Sequence, residues 1–309
     1  MRIVVLFLLL SFQTAVAMSR GPSQRDEPLI EGVGVQTLEY YDEARDRPVV
    51  VEFWYPTDLS RGVEPIRDAP VAKRSTSMPL IVMSHGHRGT RKCQEWLALQ
   101  LARKGYVLAA VEHFGNARES FHPLLSLRFW DRTKDISYAL DQILEEFGPQ
   151  IDGRHIGFIG YSLGGMTGLG LAGGQAKNVR EIVLREHQNH KGFTEEIIAQ
   201  VDFSEGEKLY TDARIQALLL VCPANFIYPP ESLQQIKIPV GLIAALHDET
   251  LPHALHASPL IRHLAPHKLK MIREKVPHSF LGLKPEKEDT LHREVAIFAA
   301  EFFKYYFKK

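Results

Sequence analysis

A serine that attacks an ester needs three things from its chain: a turn that lifts it clear, a base to take its proton, and an acid to orient that base. The stretch Gly160-Tyr161-Ser162-Leu163-Gly164-Gly165 offers the turn. It follows the apolar run HIGFIG and precedes the glycine-spaced apolar run Met166 to Leu171, so a G-x-S-x-G pattern stands where a strand turns sharply into a helix. Glycines on both sides remove the β-carbons that would collide there.

In a strand-turn-helix setting of this kind the acid and then the histidine follow the serine along the chain. After the apolar run PVGLIAAL comes His247-Asp248-Glu249-Thr250-Leu251-Pro252, which puts Asp248 at a strand's carboxyl end, and Pro277-His278-Ser279-Phe280 puts His278 on the loop before the last helix. Ser162, Asp248 and His278 are therefore the expected nucleophile, acid and base. Glu249 is the alternative acid, with Asp248 then capping the helix that follows. His253, His256, His263, His267 and His292 read as surface or packing residues, the first four in or at the ends of a helix and the last opening the terminal one.

Acyl transfer also needs N–H donors where negative charge develops on oxygen. One is expected from the backbone of Leu163, directly after the nucleophile, and the other from the backbone of His87 in the loop Ser84-His85-Gly86-His87-Arg88-Gly89-Thr90. Tyr161 and Phe121 are candidates for substrate contact. Phe121, Leu124 and Leu125 of the loop Gly115 to Leu127 could line an acyl pocket. The chain has 14 histidines, with clusters at His85-Gly86-His87 and Glu186-His187-Gln188-Asn189-His190, but none at the H-E-x-x-H spacing of a helical zinc site, so neither a metal nor a cofactor is expected.

The elements that position these groups are legible in the pattern. Gly34–Tyr41 and Pro48–Tyr55, separated by the charged stretch Asp42–Arg47, predict an antiparallel pair. Asp58–Met78 reads as a loop. Continuous apolar runs at 79–83, 106–111, 155–160, 217–221 and 239–246, with an extended segment at 268–276, predict strands covered on both faces. Helical periodicity at 91–104, 131–147 and 288–307 predicts helices between and after them. Strand alternating with helix implies an α/β fold with a mostly parallel twisted sheet and helices on both faces. Residues 175–214 break this rhythm with many charges and read as an insertion over the active-site edge, partly helical from Thr194 to Val201.

Composition narrows the classes. The 37 Lys+Arg equal the 37 Asp+Glu, which excludes the clustered positive charge of a nucleic-acid-coating protein. Two cysteines, Cys93 and Cys222, exclude a disulfide-dense scaffold and read as inert buried thiols, Cys93 in a helix and Cys222 at a strand end. Residues 1–17, MRIVVLFLLLSFQTAVA, have the basic start, apolar run and Ala-Val-Ala ending of an export signal cleaved after Ala17. Residues 18–29 read as a flexible arm and 30–309 as one domain. The aromatic and basic end of the last helix allows at most peripheral membrane contact.

The run Val82 to Asn116, FWYPT at Phe53–Thr57, the elbow GYSLGG and the block Ile238 to Pro252 resemble the α/β-hydrolases of the dienelactone hydrolase type, particularly bacterial relatives of platelet-activating factor acetylhydrolase. The resemblance implies a calcium-independent serine esterase for short acyl esters, with phospholipid acetyl esters among the candidates. It carries over Ser162 as nucleophile, His278 as base, and His87 with Leu163 as oxyanion positions. Two features depart from the pattern. The acetylhydrolase acid follows an earlier strand, and the matching stretch Val221 to Phe226 has no carboxylate. Dienelactone hydrolases use cysteine where this chain has Ser162. The alternatives are a catalytically silent binding protein on the same fold, or a polyester depolymerase, peptidase or acyltransferase using the same triad.

Overall fold

Apolar runs too short for helices and bounded by turn residues bury both faces most readily as inner strands of a sheet. The computed structural model describes residues 32–59, 62, 64–187, 192–264, 267–272, 275–282 and 290–308. The expected export segment 1–17 and arm 18–29 lie outside the described residues, as do Gln188, Asn189 and His190. In chain order the strands are β1 (Gly32–Asp42), β2 (Arg47–Thr57), β3 (Ile66–Arg67), β4 (Met78–Ser84), β5 (Val107–Glu112), β6 (Ile151–Tyr161), β7 (Ile215–Val221), β8 (Val240–Ala245) and β9 (His267–Ile272). The helices are α1 (Glu95–Ala102), α2 (Pro123–Leu127), α3 (Asp131–Phe147), α4 (Leu163–Leu171), α5 (Val179–His187), α6 (Glu195–Ala199), α7 (Pro230–Leu233), α8 (Ala257–His263) and α9 (Thr290–Tyr306).

The strands form one sheet in the order β3-β1-β2-β5-β4-β6-β7-β8-β9. From β5 to β9 every neighbouring pair is parallel. Toward the other end the β1–β2 hairpin joins β5 antiparallel, and the two-residue β3 lies outermost beside β1. Successive side chains on a strand point to opposite faces, so each inner strand feeds two cores. Leu80, Val82, Ile156, Phe158, Leu218 and Leu220 pack with α3, α4, α7 and α8. Ile81, Met83, Ile159, Leu219 and Val221 pack with α1 and α9. This is the expected α/β architecture, and it gathers the carboxyl ends of β4, β6, β7 and β8 along one edge, where open parallel sheets form their ligand crevices.

The structure departs from the sequence reading at several elements. The expected loop 58–78 contains β3, too short to show any period, which pairs with β1. α1 begins at Glu95 rather than Arg91, because Thr90 to Gln94 make tight turns in which the Cys93 and Glu95 N–H groups reach only to Thr90 and Lys92. The insertion is helical within the expected 194–201, as α6 with Thr194 as its N-cap, but it also carries α5, whose buried Val179 and Val183 stand one turn apart among charged residues. α9 buries Val295, Ala299, Phe302 and Phe303 and exposes Ile297 and Tyr305. Among the described residues no helix is long and apolar enough to cross a membrane.

Candidate active site

Ser162 occupies the turn between β6 and α4 with φ 55° and ψ −118°, a conformation that side chains rarely adopt. Surrounding bonds hold it there. Its N–H donates to the Val221 carbonyl at 3.0 Å, and its carbonyl accepts the N–H groups of Gly165 and Ala224, both at 2.9 Å. The flanking glycines are required by contact. A β-carbon on Gly160 would lie 2.3 Å from the Gly164 carbonyl oxygen, and one on Gly164 would lie 2.0 Å from that of Ser84.

The three residues read as nucleophile, acid and base converge. His278 Nε2 lies 3.0 Å from Ser162 Oγ, and His278 Nδ1 lies 2.6 Å from Asp248 Oδ2. The other Asp248 oxygen accepts the N–H groups of Thr250 at 3.0 Å and Leu251 at 2.8 Å, which caps the turn after β8 and not a helix, since the next helix, α8, begins at Ala257 with His256 before it. Burial alone would raise the Asp248 pKa, but the bonds from His278, Leu251 and Thr250 more than offset it and hold the carboxyl below its usual range. Glu249 points away and pairs with Lys275 at 3.3 Å, both side chains being exposed. His278 opens a short 3-10 turn, His278–Gly282, rather than lying in open loop.

The candidate substrate contacts fall in different places. Tyr161 is buried behind the base: its ring stacks on His278 with centroids 5.3 Å apart, and its hydroxyl donates to the His278 carbonyl at 2.8 Å. It supports the imidazole instead of walling a pocket. Phe121 stands at the rim, edge-on to His87 at 5.7 Å, with the Arg88 guanidinium 4.5 Å from its ring centroid. Leu124 packs on the core, and Leu125 lines a separate cavity of about 70 Å³ beside Arg45, Arg47 and Phe114. Of the two oxyanion positions, Leu163 supplies the first N–H of α4, at the end where such groups have no intrahelical acceptor. The peptide leading to His87 borders the nucleophile, since a β-carbon on Gly86 would lie 3.1 Å from Ser162 Cβ.

Beneath this edge lies a polar network that the sequence reading missed. Asp135 accepts His113 Nδ1 at 3.0 Å, Arg45 at 2.8 Å, and Arg47 through two bonds of 2.7 and 2.9 Å. His113 Nε2 lies 2.9 Å from Ser84 Oγ. Arg132 donates to Ser84 Oγ at 3.1 Å, Thr167 Oγ1 at 3.1 Å, Asn116 Oδ1 at 2.6 Å and the His85 carbonyl. Ser84, His85, His113, Arg132 and Asp135 are all buried. Burial opposes the charge on Asp135, but the bonds from His113 and Arg47 overcome it and keep the carboxyl ionised. Burial and the Arg132 charge draw His113 down to about 3 and His85 well below the ordinary histidine range.

His256 and His292 take packing roles. His292 lies between Trp96 and Phe280, with ring centroids 4.5 Å from each, and His256 accepts the Asn225 N–H at 3.2 Å. His267 opens β9 instead of ending a helix. Cys222 is buried at the end of β7, and burial pushes its thiol up to about 12. Cys93 is half-buried in the turn before α1, not in a helix, and its sulfur accepts the Thr90 N–H at 3.1 Å. Among the described residues no three His, Cys, Asp or Glu side chains form a metal-binding group.

Residues 50–120 match the family model of platelet-activating factor acetylhydrolase, isoform II, a stretch that runs from β2 through the His87 loop and ends before Ser162. No curated protein matches the chain. Among solved structures, a ferulic acid esterase from Streptomyces cinnamoneus superposes with a TM-score of 0.51 at 21% identity, over 82% of this chain and 74% of its own. That likeness shows the fold. The chain thus has the α/β fold of that esterase, and its residues 50–120 are similar to the platelet-activating factor acetylhydrolase family.

Proposed function

We propose that this protein is a serine esterase that cleaves short acyl esters through an acyl-enzyme on Ser162. The observation that carries the reading is the unbroken relay from Asp248 through His278 to Ser162, with contacts of 2.6 and 3.0 Å ending at a serine on a sharp strand-to-helix turn. In the reaction, His278 Nε2 takes the Ser162 proton as Oγ bonds to the ester carbonyl carbon, and the carbonyl electron pair moves onto oxygen. The N–H groups of Leu163 and His87 receive that oxyanion. Asp248 fixes the tautomer of His278 and stabilises its positive charge. Collapse expels the alcohol, which takes the proton from His278. Water then enters by the same route and releases the carboxylic acid and free Ser162.

The substrate class rests on the partial match to the acetylhydrolase family and on the esterase fold. A panel of p-nitrophenyl esters stepped in acyl length tests it, with highest turnover expected for acetyl and butyryl esters and little for long chains. Wild-type protein is expected to gain one organophosphonate per chain at Ser162. Activity that survives Ser162→Ala would overturn the reading, and a chain that neither turns over any ester nor takes up phosphonate would be a binding protein. The chain is exported and cleaved after Ala17, so a mature protein recovered from the producing cells begins at Met18.

A further inference from the structure

Two oxyanion donors are useful only if the distance between them is held. One belongs to α4 and the other to the loop after β4, and one buried side chain grips both elements. Arg132 Nε donates to Thr167 Oγ1 at 3.1 Å, on α4 about one turn beyond Leu163. Its terminal nitrogens bond to the loop directly, at the His85 carbonyl and Ser84 Oγ, and indirectly, through Asn116 Oδ1 at 2.6 Å. Asn116 in turn accepts the Arg88 N–H on its carbonyl at 3.0 Å, and its side chain lies 3.4 Å from His87 Nδ1.

The second grip is His85, and its tautomer follows from its neighbours. The backbone N–H of His113 donates to His85 Nε2 at 3.1 Å, so that nitrogen carries no proton. The ring proton therefore sits on Nδ1, which lies 2.7 Å from the Gly86 carbonyl and donates to it. The Gly89 N–H reaches the same carbonyl at 3.1 Å. In a trans peptide the C=O and the following N–H point opposite ways. Holding the Gly86 oxygen toward His85 thus turns the His87 N–H to the other side of the peptide. His85 is buried beside the Arg132 charge and stays neutral, so the arrangement does not switch as pH falls toward 6.

We propose that Arg132 and His85 form a buried clamp that sets the spacing and direction of the two oxyanion donors, acting as positioning residues for the reaction at Ser162. The inference rests on the esterase reading above. Neither side chain touches substrate. A guanidinium suits the first position because its planar fork serves four acceptors in different directions, which a lysine cannot do.

The test compares His85→Ala with His85→Asn, because an asparagine side-chain amide can reproduce the bond from Nδ1. On p-nitrophenyl acetate, His85→Ala is expected to lower kcat on the order of 10²-fold, the scale of a lost or misdirected oxyanion donor, with KM little changed. Affinity for a trifluoromethyl ketone, which forms a tetrahedral anion on the serine, should fall in parallel, and His85→Asn should recover most of both. Thr167→Val, close to isosteric, removes one anchor and should lower kcat about two- to five-fold. If His85→Ala does not fold, the same comparison is read between wild type, His85→Asn and Thr167→Val. A wild-type kcat in both His85→Ala and Thr167→Val, or in Thr167→Val alone where His85→Ala does not fold, with one phosphonate still on Ser162, would overturn the clamp and leave the esterase reading standing. Wild-type protein that takes up no phosphonate would overturn both.

Discussion

Among the described residues stand two Ser–His–Asp arrays with nearly equal spacing. In Ser162–His278–Asp248 the two contacts are 3.0 and 2.6 Å. In Ser84–His113–Asp135 they are 2.9 and 3.0 Å. Distance therefore does not separate a nucleophile from a structural hydroxyl. Surroundings do. Ser84 is 0% exposed and its oxygen already accepts an N–H from Arg132, so no acyl carbon reaches it. A general base must also accept a charge. Burial and the neighbouring guanidinium groups of Arg132 and Arg47 press His113 to remain neutral, whereas among the described residues no Arg or Lys bonds to any member of the Ser162 array. In the proposed reaction, the first array cycles a proton at the sheet edge. The other stays in a single state and holds the loop above it.

The sharpest separation of the two comes from Ser162→Ala, expected to lower kcat/KM by about 10⁴- to 10⁶-fold with the unfolding midpoint near wild type. Asp248→Asn should cost roughly 10⁴-fold, because the amide selects the wrong imidazole tautomer, while Glu249→Gln should have no effect. The opposite result for that pair would reassign the acid. In the buried array the loss should appear in stability. Asp135→Asn leaves Arg45, Arg47 and His113 without their carboxylate and is expected to lower the denaturant-unfolding free energy by about 3–5 kcal/mol. Phosphonate should still attach to Ser162 in that variant, and an adduct on Ser84 would dissolve the distinction drawn here.

The buried array also predicts a pH signature. Folded His113 releases its proton at about 3, well below the ordinary histidine value of 6.5, so between those limits the unfolded chain binds more protons than the folded one. Its contribution to stability is intact above pH 6.5 and declines as pH falls through that window. His113→Gln should flatten the fall of the unfolding midpoint between pH 6.5 and 4. A slope equal to wild type would mean that His113 is protonated in the fold. The smallest expected effect is at Tyr161→Phe, which removes one hydroxyl bond to the His278 carbonyl and should lower kcat/KM about five-fold, the scale of about 1 kcal/mol.

Much of the accessible array was legible along the chain because its signals are local. The Gly160–Gly165 turn, the carboxylate after β8 and the histidine before α9 each stand beside an apolar run that dates them to a strand end or a loop. The two cores were legible for the same reason, since the continuous apolar runs of β4, β6 and β7 and the period of 3.6 in α3 are short-range properties. The buried array has no such mark. Asp131, Arg132 and Asp135 look like the polar face of an amphipathic helix, and His113 looks like one more histidine after a strand. Residue 93 and α5 were misread where a turn or a dense run of charge covered the local signal.

By itself, then, the amino-acid order determined which segments are strands and helices, where the sharp turn falls, and which three side chains stand at the carboxyl ends of the sheet. Only the tertiary structure decided which polar groups lost their water. Burial is a property of the packed whole: the start of α3 enters the interior because α4 and the loops after β4 and β5 close over it. That closure turned ordinary polar residues into a charged lattice whose members must all be paired.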